Sequence, residues 1–109
     1  MKTVTANELK SMLHHDALLV NTLPEDNFER TKIEGAANIP QDSSDFVQRV
    51  KDIAGGRAVV VYCASQQCDS STKAAQKLEA AGFANVYDFT AGAKGWEEAG
   101  EKIAGSVTA

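Results

Sequence analysis

The chain has 109 residues, of which 43% are hydrophobic and 24% are charged, and its formal net charge is −4. These values are typical of a folded globular domain and argue against a disordered segment. No run of Lys and Arg is present, which excludes an electrostatic nucleic-acid footprint. The longest apolar run, residues 58–64, is too short to cross a bilayer.

The N-terminal residues 1–5 lack a hydrophobic signal region and lead directly into a helix pattern. We therefore expect a cytoplasmic protein. The length fits one domain, with a core from about residue 4 to 103 and a mobile tail of small and polar residues at 104–109.

The first predicted helix begins with a capping-box pattern, in which Thr5 is followed three residues later by Glu8. Its apolar residues recur at helical spacing and are expected to be buried: Leu9, Met12 and Leu13. Residues 17–21 form a short apolar run of strand length. Pro24 then suits the first turn of a short helix, with Phe28 facing inward.

A second strand and a third helix are predicted in the middle of the chain. Residues 36–39 have strand character and end at Pro40, and residues 42–44 offer several caps for the helix that follows. That helix is expected to bury three residues at helical spacing, Phe46, Val50 and Ile53, and to end at Gly55.

The second half of the chain alternates strand and helix in the same way. Residues 58–62 are almost all apolar and β-branched, which is typical of a central parallel strand buried on both faces. A polar loop leads to a helix at 71–81, capped by Gly82. A last strand at 86–89 and a closing helix at 94–99 complete a pattern that favours a parallel sheet covered by helices.

Cys63 directly follows the predicted central strand and precedes a polar loop and a helix. Ligands bind at the carboxyl ends of strands in open α/β sheets, and N–H groups at a helix N-terminus favour negative charge. This field is expected to lower the pKa of Cys63 and to stabilise its thiolate, the reactive form. The alternative is that Cys63 merely fills the core.

Cys68 lies five residues after Cys63. In a reducing compartment such a pair is more often catalytic or redox-active than structural. If Cys68 faces Cys63, it is a candidate for resolving a persulfide or sulfenic acid by forming a disulfide; otherwise it fills the loop wall. The two histidines, His14 and His15, are adjacent and point to different sides of one helix, so we expect no metal and no cofactor.

Four segments, in this order, resemble the rhodanese-like family. They are Ile-Glu-Gly-Ala-Ala-Asn-Ile-Pro at 33–40, Val-Val-Val-Tyr-Cys at 59–63, Gly-Phe-Ala-Asn-Val at 82–86 and Gly-Ala-Lys-Gly-Trp-Glu-Glu-Ala-Gly at 92–100. The similarity extends from about residue 4 to residue 103. It implies an α/β, three-layer fold with a central, mainly parallel five-stranded sheet and helices on both faces.

The resemblance also implies sulfurtransferase chemistry. The Cys63 thiolate would take the outer sulfur of thiosulfate or another donor, become a persulfide, and give that sulfur to a second thiophile. Backbone amides of the following loop would hold the persulfide and the oxygens of the donor. The residues implied in this anion cradle are Ala64, Ser65, Gln66, Gln67, Asp69, Ser70 and Ser71.

The loop departs from the family pattern, because it contains neither arginine nor glycine between Cys63 and Ser71. It is longer by two residues, and Ser70 stands where the family has an arginine. A bidentate guanidinium holds oxyanions strongly, so we expect weak binding of thiosulfate. Lys73 and Lys77 compensate only in part.

We therefore expect a sulfurtransferase or persulfide carrier that moves sulfane sulfur through Cys63. Its partners would be a small sulfur donor and a thiol or protein acceptor, with no nucleic acid and no membrane, and the protein would be a monomer. Two alternatives are a thiol redox or sensor module that uses Cys63 and Cys68, and a non-catalytic rhodanese-like binding module. The missing arginine argues against a cysteine phosphatase, and the four residues between the cysteines argue against a thioredoxin-type enzyme.

Overall fold

Five β-strands and five α-helices alternate along the part of the chain that the structure describes, residues 2–101 and 103. The structure is a computed structural model. The strands are β1 (Lys2–Thr3), β2 (Leu18–Asn21), β3 (Ala37–Asn38), β4 (Val59–Tyr62) and β5 (Val86–Phe89). The helices are α1 (Ala6–His14), α2 (Glu25–Thr31), α3 (Phe46–Ala54), α4 (Ser70–Ala80) and α5 (Gly92–Glu98). The predicted tail at 104–109 lies outside the described residues.

The strands form one sheet in the order β1-β5-β4-β2-β3, and every neighbouring pair is parallel. Strand β4 lies at the centre and pairs along all four of its residues with both β2 and β5. All four β4 side chains are buried, as expected for a central parallel strand. The prediction of an α/β fold with a five-stranded, mainly parallel sheet is confirmed, and the sheet is parallel throughout.

Helices cover both faces of the sheet and give two hydrophobic clusters. Val59 and Val61 of β4 point to one face, where they pack with residues of α3 and α4: Phe46, Val50, Ala54, Ala74, Ala75 and Leu78. Val60 and Tyr62 point to the other face and pack with residues of α1 and α5: Leu9, Ala93 and Trp96. This alternation follows from the two-residue period of a strand, and it confirms the predicted three layers.

The helices are short, and most of their bounds agree with the sequence patterns. The predicted capping box of α1 is present: the Glu8 N–H donates to Thr5 Oγ1 at 3.2 Å, and the Thr5 N–H donates to Glu8 Oε1 at 2.9 Å. Helices α4 and α5 begin one and two residues earlier than predicted. Gly82 follows the end of α4 with a φ of 96°, which favours glycine. Among the described residues, no helix has the length and apolar character needed to cross a membrane.

Two predictions for α3 are wrong. Ile53 was expected to be buried, but it is 45% exposed, and the buried residues of α3 are Phe46, Val50 and Ala54. The buried stripe continues at a spacing of four, which places Ile53 at its edge. The residue before the helix is Asp45, whose side chain makes no capping hydrogen bond, so residues 42–44 do not supply the cap.

Two further features near the N-terminal half differ from expectation. Strand β1 was not predicted, because two residues carry no recognisable period; Lys2 and Thr3 pair with Tyr87 and Asp88 of β5. Phe28 was expected to face inward, but it is only half-buried. The Lys32 ammonium lies 5.6 Å from the centroid of its ring, which is within the range of a cation–π contact.

Candidate active site

Cys63 is the first residue after the central strand β4, and its side chain is fully buried. Its thiol faces the loop of residues 64–69 and the first turn of α4. The Sγ atom lies 3.3 Å from the Cys68 carbonyl oxygen, 3.8 Å from the Ser65 carbonyl oxygen and 3.6 Å from Ser71 Oγ. The two carbonyl oxygens can only accept a hydrogen bond, so they suit a neutral thiol that donates its hydrogen, whereas the Ser71 hydroxyl can either accept or donate.

The loop is held by a turn of its own. The Cys68 N–H donates to the Ser65 carbonyl at 3.1 Å, and the Ser65 hydroxyl lies 3.2 Å from Gln67 Oε1. The Asp69 carboxylate lies 3.4 Å from the Lys73 ammonium, and both side chains are exposed. The positive charge of Lys73 is therefore partly offset by the Asp69 carboxylate.

The end of the loop is anchored to the end of β2 through Thr22 and Ser70. The Thr22 hydroxyl donates to the Tyr62 carbonyl at 3.2 Å and lies 3.1 Å from the Ser70 hydroxyl, which donates to the Thr22 carbonyl at 3.2 Å. Ser70, which the sequence resemblance suggested as the replacement of an arginine, thus has a structural role here. Sequence reasoning did not identify Thr22 as its partner, although a polar residue directly after a strand is the signal that points to it.

The start of the loop is anchored to α5, where the backbones approach closely. The Ala93 and Lys94 N–H groups each donate at 2.9 Å, to the carbonyls of Cys63 and Ala64. Gly92 has a φ of 66°, and a Cβ atom there would lie 2.4 Å from the Cys63 carbonyl oxygen. Only glycine permits this contact.

A buried carboxylate supports the first turn of α4 from the neighbouring strand. Asp88 of β5 is 1% exposed, and its Oδ2 atom accepts a hydrogen bond from the Thr72 hydroxyl at 2.9 Å. Its Oδ1 atom is buried and has no partner among the described residues. Sequence reasoning missed Asp88; a single charged residue in an otherwise apolar strand was the available signal.

Burial raises the pKa of the Cys63 thiol above its ordinary value, and the neighbouring Cys68 thiol acts in the same direction. The backbone N–H and the hydroxyl of Ser71 lower this pKa, but their effect is smaller. The predicted lowering of the Cys63 pKa by the helix N-terminus is therefore wrong for this structure. The sequence shows the helix that follows Cys63, but it does not show the desolvation of the sulfur or the carbonyls that face it.

The structure thus brings three of the predicted site residues together: Cys63, Cys68 and Ser71. The other loop residues surround them, with Ser65 contributing a carbonyl and with Gln66, Gln67 and Asp69 exposed at the rim. Of the backbone N–H groups predicted to form the anion cradle, that of Ser71 is hydrogen-bonded to the Cys63 sulfur. The full cradle of loop amides stays a prediction.

Two clefts are candidate binding sites. A small polar pocket borders the loop on the side of α5 and is lined by Gln66, Gln67, Ala91, Lys94 and Glu98. A larger cleft lies at the opposite edge of the sheet, between α3, the residues that lead into β4, and the segment 81–85 that joins α4 to β5. Its lining contains no cysteine and it lies at the amino ends of the strands, so we assign the chemistry to the edge that carries Cys63.

A parallel α/β sheet with a cysteine between its central strand and a helix N-terminus defines the class of site. A family model described as a rhodanese-like domain matches residues 5–99, and the chain belongs to this family. The uncharacterized protein YqhL of Bacillus subtilis is 34% identical over 96 residues, which are 88% of this chain and 72% of that protein. The resemblance inferred from the four sequence segments is confirmed.

Solved structures agree with this assignment. A thiosulfate sulfurtransferase from Pseudomonas aeruginosa is 25% identical, with a TM-score of 0.80 over 94% of this chain, which spans only 20% of that larger protein. The BH2092 protein from Bacillus halodurans is 19% identical, with a TM-score of 0.79 over 93% of this chain and 74% of its own. At that identity the second similarity shows the fold alone.

Proposed function

We propose that this protein is a sulfurtransferase that carries sulfane sulfur as a persulfide on Cys63. The observation that carries the proposal is the position of the Cys63 sulfur. It lies at the carboxyl end of the central strand, 3.6 Å from Ser71 Oγ in the first turn of α4, and the Ser71 N–H is directed at it. An N–H donor and a hydroxyl at a helix N-terminus stabilise an anionic sulfur.

The reaction consists of two displacements with one covalent intermediate. The Cys63 thiolate attacks the outer sulfur of thiosulfate, the sulfur–sulfur bond of the donor breaks, and sulfite leaves with the electron pair. An acceptor thiolate then attacks the outer sulfur of the persulfide, and Cys63 leaves as the thiolate. In each step the reactants and products have the same total charge and the same number of electrons, so no external oxidant is needed.

The charges around the site argue for a donor that is less anionic than thiosulfate. The loop lacks an arginine, and the Lys73 ammonium near it is paired with Asp69 at 3.4 Å. A dianion entering this site would have no guanidinium to replace its lost hydration. We therefore propose low-molecular-weight persulfides as the better donors and thiosulfate as a weak one.

The test is the intact mass of the protein after exposure to thiosulfate and, separately, to cysteine persulfide. The wild type is expected to gain one sulfur atom and to lose it again on addition of a thiol. Cys63→Ser should gain nothing, and Cys68→Ser is the matched control that should still gain one sulfur. No adduct with either donor, or an equal adduct on Cys63→Ser, would overturn the proposal.

A thiol redox function is the second candidate, and the proximity of the two cysteines favours it. Both are free, and the Cys63 sulfur lies 3.3 Å from the Cys68 carbonyl oxygen. A mild oxidant such as diamide would take two electrons and two protons from the pair to form a disulfide. Reversible loss of two hydrogens, abolished by either Cys→Ser substitution, would support this function, and two thiols that stay free would exclude it.

A further inference from the structure

We propose that Cys68 is a second sulfur carrier, which receives the outer sulfur from Cys63 and presents it to a thiol on a macromolecular acceptor. This inference rests on the proposed function of Cys63 and names the route by which the sulfur leaves the site.

The contrast in burial between the two cysteines is the first argument. Cys63 is 0% exposed, enclosed by its own strand, the loop and the first turn of α4. A thiol displacing a sulfur must approach along the bond that breaks, and a protein acceptor cannot do so at an enclosed atom. Cys68 is half-buried and is flanked by the exposed residues Gln67 and Asp69, so a sulfur on Cys68 is accessible from the surface.

The proximity of Cys68 to the Cys63 sulfur is the second argument. The Cys68 carbonyl oxygen lies 3.3 Å from Cys63 Sγ, and the turn from Ser65 to Cys68 holds it there through a 3.1 Å hydrogen bond. In a persulfide the outer sulfur lies about 2 Å beyond Sγ, so it reaches the wall of the site that Ser65 and Cys68 form. During transfer this sulfur lies between the two Sγ atoms, which therefore need not approach to the distance of a disulfide.

The transfer balances without an oxidant or a reductant. The Cys68 thiolate attacks the outer sulfur of the Cys63 persulfide and forms a new sulfur–sulfur bond. The bond from that sulfur to Cys63 Sγ breaks, and its electron pair stays on Cys63. The proton that Cys68 gave up is taken by Cys63, so a persulfide and a thiol have exchanged places.

Desolvation gives the exchange its direction. Burial raises the pKa of the Cys63 thiol, which favours return of Cys63 to the neutral form after the sulfur has left. The negative charge of the persulfide then resides on Cys68, where water reaches it. A charge moved from a buried to a half-exposed sulfur regains hydration, so the outward position is the more stable one.

The position of the sulfur can be read in a single peptide. Arg57 and Lys73 bound a tryptic peptide of residues 58–73 that contains both cysteines and no other basic residue. The protein is loaded with cysteine persulfide, alkylated with iodoacetamide, digested and fragmented. The wild type is expected to carry the extra sulfur on Cys68, Cys68→Ser to carry it on Cys63, and Cys63→Ser to carry none.

The accessibility argument is tested with acceptors of two sizes. Cyanide is small, whereas a thiol attached to dextran mimics a macromolecular acceptor. Cys68→Ser is expected to retain transfer to cyanide, which is small enough to reach Cys63, and to lose transfer to the dextran thiol. The ratio of the dextran-thiol rate to the cyanide rate should therefore fall sharply in this variant. Cys68→Ala serves as a second variant, which removes the thiol without adding a hydroxyl.

Each contrary result has a separate meaning. Sulfur on Cys63 alone in the wild type, with unchanged transfer from Cys68→Ser to the dextran thiol, overturns the relay and leaves the proposed function intact. A Cys63–Cys68 disulfide with release of sulfide also overturns the relay, because Cys68 then attacks the inner sulfur. The absence of sulfur from all three proteins overturns the proposed function and the relay together.

Discussion

Gly92 is the residue at which the backbone of α5 touches the loop that follows Cys63. A Cβ atom at this position would lie 2.4 Å from the Cys63 carbonyl oxygen and 2.8 Å from the Ser65 nitrogen. Both are backbone atoms, so no side chain can rotate to make room. A single methyl group added at Gly92, which lies outside the loop, would therefore displace the loop backbone.

We expect Gly92→Ala to lower the free energy of unfolding by roughly 1–3 kcal/mol through this overlap, in addition to its backbone cost, and to slow sulfur loading of Cys63. Gly55→Ala is the matched control: Gly55 also has a left-handed backbone, with a φ of 55°, but a Cβ atom there would have no atom within 4 Å. That change should cost roughly 1–2 kcal/mol from the backbone alone. Urea denaturation gives both values, and equal losses would show that the contact at Gly92 is unimportant.

Single residues also show how far the sequence leads at this site. Cys63 was selected as the candidate site residue from local information, since it joins a strand pattern to a polar loop and a helix. The roles of Gly92 and Asp88 depend on contacts across 16 or more residues of sequence, which no local pattern encodes. The direction of the Cys63 pKa shift was predicted wrongly for the same reason, because desolvation depends on every element packed around the sulfur.

Among the elements, α3 shows how helical spacing fixes burial only approximately. Phe46 and Val50 were correctly predicted to face the core, whereas Ile53 was not. A helix of nine residues has a buried stripe whose edges depend on the tilt of the helix against the sheet. The apolar pattern predicts which residues lie at the centre of the buried stripe, but it does not predict which residues lie at its edges.

Two substitutions in α3 test this assignment. Val50 is 0% exposed, so Val50→Ala is expected to leave a cavity and to lower the free energy of unfolding by on the order of 2 kcal/mol. Ile53 is 45% exposed, so Ile53→Ala removes more carbon but should change the stability by only about 0.5 kcal/mol. Chemical denaturation under one set of conditions compares them, and a larger loss for Ile53→Ala would contradict the observed orientation of α3.

The strands were predicted with differing success, for a physical reason. The bounds of β5 were predicted correctly, and β2 and β4 are each one residue shorter than predicted. All three are four-residue, mostly apolar strands inside the sheet. Strand β3 contains only Ala37 and Asn38, and β1 only Lys2 and Thr3. These two lie at the edges of the sheet, where one neighbour is missing and the sequence signal of burial is weak.

For the whole molecule, two buried groups that ionise in alkali affect stability in the same direction. Burial raises the pKa of Cys63 and of Tyr62 above their ordinary values. The Tyr62 hydroxyl donates to the Thr31 carbonyl and accepts the Ile33 N–H, each at 2.9 Å. The unfolded chain, in which both groups are hydrated, therefore loses these protons at a lower pH than the folded protein.

We expect the free energy of unfolding to fall as the pH rises above 9.0, the ordinary value for Cys63. A raised pKa in the folded state gives stability that is complete below the unfolded pKa and is lost as the pH rises through the folded value. The same loss for Tyr62 begins near its ordinary value of 10.0. Urea denaturation from pH 7 upward measures the slope.

Two substitutions test whether Cys63 and Tyr62 cause this decline in the free energy of unfolding with pH. Cys63→Ser should flatten the first part of the decline, because serine does not ionise in this range. Tyr62→Phe should flatten the later part, after a loss of about 1–3 kcal/mol at all pH values from the unpaired buried Ile33 N–H and Thr31 carbonyl. A slope that neither substitution changes would mean that other groups cause the alkaline decline.

The order of the strands also has a consequence for synthesis of the chain on the ribosome. Strand β4 pairs with β2, which is synthesised before it, and with β5, which is synthesised after it. Strand β1 is synthesised first but cannot pair until β5 has been synthesised. A nascent chain that ends before Phe89 therefore leaves one edge of β4 open beside Cys63. The Cys63 thiol is enclosed only when nearly the whole domain has emerged, so during translation this cysteine and the apolar strand before it are exposed to oxidants and to aggregation.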